Sequence, residues 1–182
     1  MNTNNDNILV IHPKDDTTDF LSVIYKDINA TVIRQHCSKS RLKQLMNDAD
    51  RIIMLGHGTG SGMGFVDKYG FNFIIDSTLV YLLKEKKDNI YIWCHADEFV
   101  KKYKLSGFTT GMFISEYEEA CMYGVKPDEK KIEKSNNDFA RIMSEYVHKS
   151  GGEIKEAVKN YYYDEDSEVV MYNNKRIYNL KG

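Results

Sequence analysis

Two short stretches carry residue types that do chemistry together. "RIIMLGHGTGSGMGF" (Arg51 to Phe65) ends an apolar run near His57, with a glycine at every second position from Gly56 to Gly64. "NIYIWC" (Asn89 to Cys94) ends a second apolar run on a cysteine, one supersecondary unit later. A cysteine nucleophile needs a thiolate, an imidazole to carry the proton and N–H donors for the oxyanion. His57 and Cys94 supply the first two. Gly58 leaves its N–H free of steric cover, and the Cys94 backbone offers another donor. Each residue alone has a plainer reading. A cysteine closing a strand is commonly a small buried hydrophobe, and a histidine before glycine commonly sits in a turn. Their joint placement at two strand ends is what points to a site. Cys37 and Cys121 lack such a partner and read as packing residues.

Chemistry at two strand ends requires strands that lie side by side. "NILVIH" (Asn7 to His12), "ATVIR" (Ala30 to Arg34), "RIIML" (Arg51 to Leu55), "NIYIW" (Asn89 to Trp93) and "GFTTGMFIS" (Gly107 to Ser115) read as strands. Helical spacing separates them. Phe20, Leu21, Ile24 and Ile28 share one face, and Leu42, Leu45, Met46 and Ala49 share another, with a serine as N-cap. "FVDKYGFNFII" (Phe65 to Ile75) reads as a small hairpin, followed by a helix capped by Ser77. "ADEFVKKYKL" reads as a short helix. Strands alternating with helices predict an α/β fold: a doubly wound, mostly parallel sheet of flavodoxin-like order with helices on both faces. Ligands and chemistry collect at the carboxyl ends of such strands, where His57 and Cys94 both fall.

Residues 1–123 form the predicted α/β core, and residues 124–182 a C-terminal extension packed on the same domain. The stretch Gly124 to Asn137 is charged and reads as an exposed loop. Helical stripes follow over "NNDFARIMSEYVHKS" and "GEIKEAVKNYYY". "SEVVMYNNKRIYNL" predicts a terminal hairpin turning at Asn173–Asn174.

The 182 residues suffice for a buried core, and 42% hydrophobic with 29% charged is ordinary for a globular protein. A net charge of −2 gives no reason to expect nucleic acid as a partner. No apolar run reaches bilayer length, so no membrane association is expected, and the polar start "MNTNNDN" has no apolar signal region. Three cysteines without CxxC spacing argue against disulfides and cysteine-built zinc. A reducing, cytoplasmic setting is the expectation.

"IIMLGHG" and "IYIWC" give the chain a resemblance to the caspase-like (clan CD) cysteine peptidases, which include the caspases, gingipains and clostripain. It extends over roughly Ile8 to Ser115 in strand order and motif placement. The resemblance implies a parallel-rich sheet and a peptide or protein substrate. It implies His57 as general base and acid, Cys94 as nucleophile, and the Gly58 and Cys94 N–H groups as oxyanion donors. It implies no metal and no organic cofactor. Trp93 and His95 flank the cysteine where family members usually carry small residues. The family builds its substrate pocket near these strand ends, so Asp97 and Glu116 become candidate substrate-binding acids selecting a basic residue. Asp97 and Glu98, and Glu116, Glu118 and Glu119, also fit the plainer role of acids starting helices.

Other readings stay open. A catalytically inactive caspase-like or flavodoxin-like binding module would use the same cleft for recognition. The glycine run could cradle a phosphate or nucleotide with its N–H groups, although it matches neither the P-loop nor the dinucleotide pattern. Its favoured role is mobility beside a cleft. His57, His95 and Asp97 could in principle converge on a metal, without any supporting spacing.

Overall fold

The computed structural model describes residues 7–35 and 37–182. The reading of the polar start therefore lies almost wholly outside the described residues. A six-stranded sheet runs through the molecule in the order β2-β1-β3-β7-β8-β9. Its strands are β1 (Ile8–Ile11), β2 (Ala30–Ile33), β3 (Arg51–Leu55), β7 (Ile90–Ile92), β8 (Gly107–Thr110) and β9 (Ile177–Leu180). The first five are mutually parallel, and β9 runs antiparallel along β8. The expected doubly wound architecture is present.

Strand alternation sorts the core into two layers. Leu9, Ile11, Ile52, Met54, Tyr91 and Trp93 face one layer, with α1 (Lys39–Asp48), α2 (Val80–Lys84) and α3 (Ala96–Lys102). Val10, Ile53, Leu55, Ile90, Ile92 and Phe108 face the other. That layer is covered by a 3₁₀ helix (Asp19–Tyr25), α5 (Glu129–Tyr146) and α6 (Gly151–Tyr161). All five residues of β3 are buried, as expected of a central parallel strand covered on both faces.

The glycine run is largely strand. It forms β4 (His57–Thr59) and the start of β5 (Gly62–Asp67), and β6 (Gly70–Ile75) completes a three-stranded antiparallel sheet. The expected hairpin is its outer half. Close approach requires glycine at more than one of these positions. A Cβ on Gly58 would meet Trp93 Cδ1 at 2.1 Å and the Gly62 carbonyl at 2.6 Å. Gly62 has φ +149°, and a Cβ there would strike the Ile75 carbonyl at 2.0 Å.

The C-terminal third departs most from expectation. The segment read as a terminal hairpin is a helix, α7 (Glu168–Asn174), followed by β9. Ser167 accepts from the Val170 N–H, Glu168 suits the positive end, and burial of Val169 and Val170 overrides their strand preference. Asn173 makes no turn. It is fully buried, accepts from Ile114 N–H (2.7 Å) and donates to the Ile114 carbonyl (2.8 Å). The Gly124 to Asn137 loop is also largely helix, because Asp128 caps α5 by accepting from Lys131 N–H. The polar run Ser135–Asn137 hid this. Ser135 is buried against the Tyr162 hydroxyl (2.7 Å), and Asn136 donates to the Ser115 carbonyl (2.9 Å). The fifth strand stops at Thr110, and Asp76 rather than Ser77 accepts the capping bond before α2.

Candidate functional site

The β3–β7 register pairs Leu55 with Ile92. His57 and Cys94 each lie two residues beyond that pair, so the ladder delivers both to one level. The Gly56 N–H donates to the Ile92 carbonyl (3.0 Å), and Thr110 Oγ1 donates to the Trp93 carbonyl (3.0 Å). Both strand ends are thereby tied down. His57 and Cys94 line one cleft with Thr18, Phe20, Phe113 and Ser115. Its volume of 20 Å³ is close to the minimum for one water.

His57 reaches into the loop after β1. Its Nε2 lies 2.7 Å from Thr17 Oγ1 and 3.6 Å from Asp15 Oδ1. Thr17 gives its hydroxyl proton to Asp15 (2.6 Å), so the bond from His57 carries the proton on Nε2. A neutral imidazole here leaves Nδ1 as the acceptor. Burial pulls the Asp15 carboxyl upward. The Thr17 hydroxyl and N–H, then His57, outweigh it and hold Asp15 below the usual carboxylate range. Asp15 and Thr17 are thus the group that orients the imidazole, and sequence reasoning missed them. The signal was the "DDTT" run just past the first strand, at the same carboxyl edge of the sheet.

Cys94 sits in an unusual setting for a nucleophile. Its Sγ–H lies 3.6 Å from the Phe113 carbonyl and 3.8 Å from Glu119 Oε1. Burial pushes the thiol up, and the Glu119 charge pushes it further, to about 12. His57 is not among its hydrogen-bond partners. Glu119 is fixed by α4 (Tyr117–Met122), whose first turn it closes: Oε2 accepts from Ser115 N–H (2.8 Å) and Glu116 N–H (3.2 Å).

The Trp93 indole packs into the opposite layer. It is 2% exposed, lies over Gly58, and donates from Nε1 to the Thr59 carbonyl (3.0 Å). Gly58 therefore packs beneath the indole and does not line the cleft. His95 is the left-handed turn residue (φ 65°) that redirects the chain from β7 into α3, and its ring meets Glu98 (3.0 Å).

The acids divide. Asp97 is mostly buried and committed to Lys101 (2.6 Å), away from the cleft. Glu116 stands at the start of α4, where burial and Glu119 raise its carboxyl and His57 lowers it. It also borders a groove with Glu129 and Glu133 on α5. His57, His95 and Asp97 go to three separate partners and do not converge. Among the described residues, no group of three or more His, Cys, Asp or Glu side chains could hold a metal ion. Among them, too, no helix is long and apolar enough to cross a membrane.

One buried histidine beside the site predicts a pH response. His12 is fully buried between the Tyr25 hydroxyl (2.9 Å) and Thr18 Oγ1 (3.3 Å). Burial, then Arg34, lowers it from 6.5 to about 4. The unfolded chain takes up this proton near 6.5 and the folded chain only near 4. Its contribution is therefore intact above pH 6.5 and lost as pH falls toward 4, by roughly 3 kcal/mol in total. Denaturant titrations should show stability falling across that window in wild type and a shallower fall in His12→Asn. Compared with known proteins, the chain matches no family model, no curated protein and no solved structure.

Proposed function

We propose that the chain is a caspase-like cysteine peptidase held in a resting state, with Cys94 as nucleophile and His57 as proton carrier. One observation carries the reading: both residues lie two positions beyond the last pair of adjacent parallel strands and line one cleft. The Asp15–Thr17 relay supports it, because a catalytic base oriented by a third group is the general form of such sites.

The reaction follows from these atoms. His57 takes the thiol proton and Cys94 Sγ attacks the scissile carbonyl carbon. The carbonyl π electrons move to oxygen, and the Cys94 backbone N–H is the donor candidate for that oxyanion. On collapse the C–N bond breaks, and His57 returns the proton to the leaving amine. Water, deprotonated by His57, then hydrolyses the thioester and regenerates the thiol. Two features of the described state must change first. The thiol at about 12 is almost wholly protonated at neutral pH, and the cleft has no room for a peptide carbonyl. Phe20 and Phe113 border it and are the side chains that have to move.

A second reading has its own observation. A half-buried, protonated thiol beside an acid is what an inactive binding module of the same fold would show. Wild type, Glu119→Gln and Cys94→Ala should be incubated with a proteome-derived peptide library and new termini read by mass spectrometry. Peptidase activity predicts cleavage in wild type or Glu119→Gln and none in Cys94→Ala at unchanged melting temperature. Equal cleavage with Cys94→Ala, or no cleavage by any of the three, overturns the reading.

A further inference from the structure

A larger cavity lies on the other side of Asp15, outside the Cys94 cleft. It measures 420 Å³, within the range of small-molecule sites. Ile11, Ile33 and Leu42 form its inner wall, and Phe65, Phe73 and Ile74 of the β5–β6 hairpin form the outer one. Phe73 stays 45% exposed although it lines this space. The cavity is mainly apolar, yet its rim is charged.

The rim charges are not equivalent. Asp15 is occupied by the Thr17 N–H and hydroxyl, and Asp76 by the Thr78 N–H (2.8 Å) and hydroxyl (2.6 Å). Arg34 is committed to Asp19 and the Tyr25 hydroxyl. Lys14 and Lys39 also line the cavity, and neither side chain has a hydrogen bond or ion pair among the described residues. Lys14 and Lys39 are thus the rim cations free to contact a ligand directly, with Asp19 and Asp76 as their more distant counter-charges. We propose that this cavity binds a small amphipathic anion, with its apolar body against the hairpin wall and its anionic group on Lys14 and Lys39. The site is independent of peptidase activity. Because Asp15 lines this cavity and also faces His57, a ligand here abuts the group that orients the imidazole.

4-Phenylbutyrate is a suitable probe, with 4-phenylbutylamine as its charge-inverted counterpart. Titration of the ¹⁵N-labelled full chain should give saturable amide shifts at Leu42, Phe73 and Ile74. The amine should bind at least about tenfold more weakly. The Lys14→Ala/Lys39→Ala variant should lose roughly tenfold in phenylbutyrate affinity, about 1.4 kcal/mol, and both lysines are exposed, so its melting temperature should not move. Cys37 lines the same cavity, so the bound anion should also slow its alkylation. No saturable shift at the hairpin, equal affinity for the amine, or undiminished affinity in the double variant would overturn the proposal.

Discussion

Glu119→Gln is expected to speed alkylation of Cys94 at pH 8 by at least about tenfold. In wild type the thiol faces Glu119 Oε1 at 3.8 Å, inside a part-buried site. A thiolate there would meet an ionised carboxylate with little water between. Glutamine removes that charge and offers an N–H donor to the sulfur instead. It also preserves the local fold, since glutamine serves in a capping box as glutamate does. Its Oε1 can still accept from the Ser115 and Glu116 N–H groups. Burial remains as the first cause of the raised value, so Cys94 should stay above an ordinary thiol. Iodoacetamide labelling read by mass spectrometry gives the rate, with exposed Cys121 as internal reference. An unchanged rate would mean that burial alone holds the proton.

Trp93→Ala is expected to destabilise the protein by about 3–5 kcal/mol. The indole packs against Tyr91 and Phe99, covers Gly58, and gives β4 a hydrogen bond at the Thr59 carbonyl. Its loss opens a cavity and frees β4, an edge strand of the small sheet, at once. In a chain of this length the melting temperature should fall by roughly 10 °C. Trp93→Phe keeps most of the volume and loses the hydrogen bond, so it should fall between. Gly58→Ala attacks the same contact from the other side. Its Cβ has nowhere to go between the indole and the Gly62 carbonyl, so β4 must shift. If Trp93→Ala melted like wild type, the indole would not be what fastens β4 to the main sheet.

The sheet was legible because its strands are short, apolar and separated by helical spacing. The register that brings His57 level with Cys94 follows from such a sheet. The site's electrostatics were not legible. Glu119 was visible only as one of three acids after the fifth strand, and nothing in its spacing says that it turns back toward Cys94. Asp15 and Thr17 stand far from His57 in sequence and meet it only because β1 and β3 are neighbours. Glycine spacing suggested freedom, whereas Gly58 and Gly62 are there because an indole and a carbonyl approach too closely for any side chain. α7 was misread because Val169 and Val170 favour strands when taken alone. Burial of their side chains and the Ser167 cap decide otherwise.

A catalytic pair requires His57 and Cys94 to act on one another. The most direct measurement is the pH profile of Cys94 alkylation in Glu119→Gln and in Glu119→Gln/His57→Ala, with Cys37 and Cys121 as references. An imidazolium beside the sulfur favours the thiolate. Removing His57 should therefore move the profile to higher pH and slow labelling at pH 7 by roughly tenfold, with both references unchanged. Superimposable profiles would contradict the pairing, leaving Cys94 as a half-buried thiol with no catalytic partner.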